Sequence, residues 1–135
     1  MGARRGAREF ALQALFFADM QTEDRRDAVS LFREHFVSDG EEALPFFDTL
    51  VDGVLDNQDE IDAVISKHSK NWKVYRMSAV DRNVMRVSAF EILYLDEVPD
   101  KVAINEAIEI GKRYGTYESG AFINGILDAI SLGRA

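Results

Sequence analysis

Three arginines, Arg4, Arg5 and Arg8, crowd the start of one helical segment, and Phe122 sits at the edge of the apolar stripe of another. The chemistry open to these residue types is recognition. Guanidinium groups hold phosphate, and an exposed ring stacks on an unpaired base. Each also has a plainer explanation. Cations in a first helical turn oppose the helix dipole by roughly 0.3–1 kcal/mol each, whereas phosphate is favoured there. The arginines therefore read either as a solvated, frayed terminus or as phosphate contacts. Ile123, Ile126, Leu127 and Ile130 share one helical face, and Phe122 lies about 100° from Ile123 around that helix. Its ring is either a boundary core residue or a platform for a base.

Bond-making chemistry finds no foothold in the spacing. A di-iron bundle site needs Glu and His three apart on two helices. The two histidines, His35 and His68, follow Phe32 and Ile65 at that spacing and read as solvated or boundary residues. There is no GxxxxGK[ST] phosphate loop and no GxSxG elbow. Cysteine is absent, which excludes disulfides and thiolate metal sites, and no cofactor is expected.

The elements that must position these residues are helices. Periodicity gives seven, at about 4–20, 23–37, 43–57, 58–70, 79–95, 102–114 and 119–131. Pro45 fits an early turn of the third, and Asn57 with Glu60 and Ser78 with Asp81 have capping-box spacing. Asp39-Gly40 marks a loop, and the acid-rich stretch near 39–42 is the candidate divide between an N-terminal and a C-terminal bundle. The segment 87–95 is apolar nearly all round, so it belongs at the centre of the C-terminal bundle. On the first helix Phe16 points away from the main stripe, towards Leu12, Glu9 and Met20. That second stripe faces either other helices of the chain or a docking partner.

The formal net charge of −8 argues against nucleic acid if taken whole, but it is unevenly spread. Residues 1–9 carry +2, residues 19–60 carry −10, and residues 61–135 balance. One face can thus meet phosphate while another repels it. Lys67, Lys70, Lys73, Arg76, Arg82 and Arg86 form a second basic stretch. No apolar run approaches the roughly 18 residues of a membrane span, and the plain expectation is a cytoplasmic protein with no membrane contact.

The stretch VPDKVAINEAIEIGKRYGTYESGAFINGILD, from Val98 to Asp128, resembles the C-terminal signature of the NusB family, the bacterial transcription antitermination factors. Arg4-Arg5-Gly6-Ala7-Arg8-Glu9 with Ala11-Leu12-Gln13-Ala14-Leu15 resembles that family's arginine-rich first helix, and Asp81-Arg82-Asn83 through Glu91-Ile92-Leu93 its central helix. From Met20 to about Arg76 only helical pattern and length agree. The resemblance implies an all-α fold of about seven helices in two packed bundles, about 1–57 and 58–135. It implies a factor, not an enzyme, that pairs with NusE, a small-subunit ribosomal protein. The pair would read single-stranded boxA RNA and support the transcription elongation complex, notably on ribosomal RNA operons. By position it implies RNA contact at Arg4, Arg5, Arg8, Glu118 and Phe122, and partner contact at Phe16 and Asp81. The family often has a basic residue where this chain has Gly6, which removes one contact. A NusB-like domain also occurs fused to an RNA methyltransferase, but this chain has no room for a cofactor-binding sheet. The rival reading is a helical adaptor that binds only protein, its arginines solvated.

Overall fold

Small residues at helical spacing define the first element. Ala7, Ala11, Ala14 and Ala18, with Leu12 and Leu15, are buried along α1, Gly2–Asp19. The short side chains let its backbone approach α2, α3 and α4, on all of which it packs. The structure is a computed structural model and describes residues 2–21, 24–37, 43–70 and 72–133. Among these, six α-helices and one 3₁₀ turn form the molecule, and there is no strand. The Asp39-Gly40 loop, with the divide expected near 39–42, lies outside the described residues.

Helix α2, Arg25–Phe36, starts at Asp24, whose carboxylate accepts from the Arg26 and Asp27 amides. Helix α3, Leu44–Lys67, carries Pro45 in its first turn. It joins the two segments expected at 43–57 and 58–70. Asn57 is their junction, with φ −124° and ψ 18°, and its amide donates to the Gly53 carbonyl at 2.9 Å. The helix bends there and does not stop. Phe47, Leu50, Val51, Val54, Ile61 and Ile65 make one buried stripe across the bend, and that burial outweighs the local capping signal.

A 3₁₀ turn, Val74–Arg76, leads to α4, Ala79–Tyr94, where Ser78 Oγ accepts from the Asp81 amide at 3.0 Å. Helix α4 packs on α1, α3, α5 and α6 and is the centre of the molecule. Its buried block is 83–92, one turn earlier than the apolar run suggested, and it includes Asn83, Arg86, Ser88 and Glu91. Gly53 permits the close α3–α4 approach, because a Cβ there would stand 2.1 Å from Phe90 Cζ. Helices α5, Asp100–Tyr114, and α6, Ser119–Gly133, pair closely, with Ile123 seated over Gly111 and Ser131 Oγ donating to Asp100 at 2.6 Å. A single apolar cluster runs from Ala7 to Ile130. No described helix is long and apolar enough to cross a membrane.

Candidate nucleic-acid and partner interfaces

Arg4, Arg8, Leu12 and Leu15 follow one another at three- and four-residue intervals, so the arginines continue the line that buries the two leucines. The structure brings all three arginines together against acids from the far half of the chain. Arg8 Nη2 lies 2.7 Å from Glu91 Oε1, and Arg8 Nε lies 3.1 and 3.0 Å from the two carboxylate oxygens. Those two side chains are only 5% and 1% exposed. Arg5 forms a two-pronged pair with Glu106 at 2.6 Å on both arms, and Arg4 meets Glu97 at 3.1 Å. Arg4 and Arg8 also stand over the Phe46 ring, 4.5 and 5.2 Å from its centroid.

Electrostatics follow from burial. Desolvation pushes the Glu91 carboxyl above its ordinary range, and the Arg8 hydrogen bonds offset this only in part. Glu106 is shifted the other way, since the hydrogen bond from Arg5 outweighs its own desolvation. Arg8, which the family resemblance implies as an RNA contact, is enclosed. Arg4 and Arg5 keep 48% and 37% of their side chains open to solvent. Sequence reasoning missed Glu91, Glu97 and Glu106 as partners. The available signal was Glu91, a lone carboxylate in an otherwise apolar helical run, which demands a buried cation.

Helix α1 reaches α5 through long side chains: Arg5 and Arg8 to Glu106, and Arg113 to Glu9 at 2.8 Å. Glu9 is paired there and Leu12 is buried in the core, so the second stripe opens only at Phe16, 39% exposed, and Met20, 54% exposed. One turn beyond Phe16, Asp19 accepts from Arg82 Nε and Asn83 Nδ2, both at 2.8 Å, and from Arg25. Arg86 joins them, held by Asp62 at 2.8 and 2.9 Å. Burial pushes the Asp19 carboxyl up, but the hydrogen bonds from Asn83, Arg82 and Arg25 outweigh it and hold the group at about 2. This knot fixes the end of α1 to the start of α4 and so places Phe16 and Asp81 at one end of the helix pair. Asp81 Oδ1 is buried with no partner among the described residues, so the Ser78 cap leaves this carboxylate oxygen unused.

Phe122 lies in the first turn of α6 and Glu118 just before it, joined by the Phe122 amide donating to the Glu118 carbonyl at 3.1 Å. The Phe122 ring is half-buried, packed on the core along one edge. Its other side lines a groove with Trp72, Lys70, His68 and Gly125. Glu118 is exposed. Lys112 faces Glu109 at 3.7 Å and Arg113 faces Glu9, so both nearby cations have acidic partners. The arginine cluster stands on α1 and Phe122 on α6, two helices that do not pack closely on each other.

A model of the NusB family matches residues 5–132. The transcription antitermination protein NusB of Desulfatibacillum aliphaticivorans is 57% identical over 132 residues, which cover 98% of this chain and 92% of that one. The solved structure of T. maritima NusB is similar with a TM-score of 0.83 at 36% identity, over 96% of this chain and 90% of that one. A structure of the antitermination factors NusB and NusE in complex with dsRNA is similar with a TM-score of 0.86 at 27% identity, over 98% of each chain.

Proposed function

The chain belongs to the NusB family, and on that premise we propose that it is a transcription antitermination factor that binds RNA together with a NusE-type ribosomal protein. Its RNA is the single-stranded boxA element of a nascent transcript. Its role is to keep the elongation complex moving in the cytoplasm, notably on ribosomal RNA operons. It works by assembly, with no bond made or broken. The observation that carries this reading is the half-open state of Arg4 and Arg5 at the first turn of α1, where phosphate oxygens can exchange with Glu97 and Glu106. Arg8, paired with Glu91, holds that turn in place. Phe122 offers a ring face to an unstacked base, and Glu118 beside it accepts from a base amino group. Phe16 with Met20, and the partly exposed Asp81, form the surface for NusE.

A single strand suits these residues because splayed bases can stack while arginines hold the backbone. Duplex RNA is the second reading, favoured by the dsRNA present in the NusB–NusE structure to which the chain is similar. Titrating labelled boxA RNA and its duplex form, each with and without NusE, separates the possibilities. Tighter binding of the single strand, strengthened by NusE, supports the proposal. Equal or tighter duplex binding replaces the single-stranded reading, and no binding of either leaves the protein-only adaptor.

A further inference from the structure

Residues 69, 70 and 72–77 sort by type. Val74 and Met77 are buried and pin the 3₁₀ turn to the core. Buried Ser69 places its Oγ 3.0 Å from the Ser66 carbonyl and 2.9 Å from the Trp72 carbonyl, tying the chain back to the end of α3. Trp72 and Tyr75 are left outside, 56% and 73% exposed. Exposed rings grouped with cations on a backbone anchored from beneath mark a candidate binding surface. Lys70, Lys73 and Arg76 stand between and beside them, all exposed, and none forms an ion pair among the described residues. Lys70 also holds a left-handed backbone with φ 56°, a conformation that glycine or asparagine adopts more cheaply. These three cations differ from Arg4, Arg5 and Arg8, every one of which has a carboxylate partner.

The rings are continuous with the groove beside α6. Trp72 lines the cleft that holds Phe122, and it lines a second hollow with Lys73, Tyr75 and Arg76. Acids bound the strip, with Asp59 and Asp62 on the α3 side beyond Tyr75 and Glu118 before Phe122. We propose that Phe122, Trp72 and Tyr75, with Lys70, Lys73 and Arg76 between them, form a track for single-stranded RNA. Successive bases stack on the rings and the cations follow the phosphates. Every base has a face to stack, so the track adds affinity with little dependence on sequence. This rests on the RNA reading of Phe122 given above and extends it to a surface that does not involve α1.

Trp72 is the only tryptophan, so its emission reports this surface alone. An end-labelled single-stranded RNA of about twelve nucleotides is titrated into the whole protein, with label anisotropy and tryptophan emission read together. Emission should fall about twofold along the same curve as anisotropy rises. Trp72→Ala should weaken binding about tenfold, and Trp72→Phe, which keeps a ring, by less than about threefold. Changing Lys70, Lys73 and Arg76 together to Ala should reduce the salt slope by about 2. Circular dichroism on each variant confirms the fold. Rising anisotropy with unchanged emission and a wild-type Trp72→Ala overturns the track while leaving RNA binding intact. No anisotropy change, with or without NusE, overturns RNA binding itself. An emission change caused by NusE and not by RNA assigns the face to protein and also overturns the track.

Discussion

Arg8 and Glu91 face each other across 83 residues of sequence, Nη2 to Oε1 at 2.7 Å, with both side chains shut away from solvent. The pair joins the first helix to the central one at the place where RNA contact is proposed. Its loss is therefore a change of frame and not the loss of a ligand.

Breaking one side should be costly. Glu91→Leu leaves Arg8 buried with Glu106, 3.5 Å away, and the Phe46 ring for partial compensation, and should destabilise by about 3–5 kcal/mol. The double variant Arg8→Met with Glu91→Leu should recover most of that loss. Denaturant unfolding of the two variants checks it, and equal losses would mean the pair is not coupled.

Glu97→Gln should tighten RNA binding. The carboxylate competes with phosphate for Arg4, and both side chains are largely exposed, so stability should hardly move. Arg4→Ala and Arg5→Ala should each make the log–log salt slope shallower by about 0.7. Binding measured over a salt series would sink the idea if neither arginine altered the slope.

Acid should weaken the α1–α4 junction. Asp19 is held at about 2 against an ordinary 3.8, so its contribution is fully present above about pH 4 and is lost as pH falls towards 2. The size is about 2 kcal/mol. Asp19→Asn should remove that acid-sensitive portion, leaving a flatter stability profile between pH 4 and pH 2 by chemical denaturation.

Phe16→Ala should weaken the NusE complex while changing stability by less than about 1 kcal/mol, because the ring is more than one-third exposed. Calorimetric titration with NusE, beside thermal unfolding, tests both halves. An unfolded variant would place Phe16 in the core and end the assignment.

Phe122→Ala should cost on both sides, since the ring touches the core and the groove together. About 1–2 kcal/mol of stability and roughly 1–3 kcal/mol of RNA affinity are expected. Glu118→Gln, one turn away, should hold or raise affinity. Unchanged affinity per folded molecule in Phe122→Ala would remove the platform.

The helices were legible because burial and periodicity agree, from the alanine stripe of α1 to the Ser78 start of α4. Asn57 misled because a capping residue acts locally, whereas the stripe from Phe47 to Ile65 is a property of the whole helix. The ionic pairings were hidden for another reason. Arg5 and Glu106 lie 101 residues apart, and no local pattern carries a contact of that range. Asp19 shows the same limit, since its partners come from α2 and α4. Trp72 is not legible in the sequence because a ring outside any helical stripe carries no periodic signal, and only its exposure reveals it.

Helix α3 runs on through its bend at Asn57 and packs on α1, α2, α4 and α6. Among the described residues, its stripe therefore ties the N-terminal helices to α4 and α6. Heat should take it apart in one step, with calorimetric and van't Hoff enthalpies in agreement. A fragment ending at Asn57 would expose the apolar faces of α1 and α3 that α4 now covers, and should not hold a fold by itself.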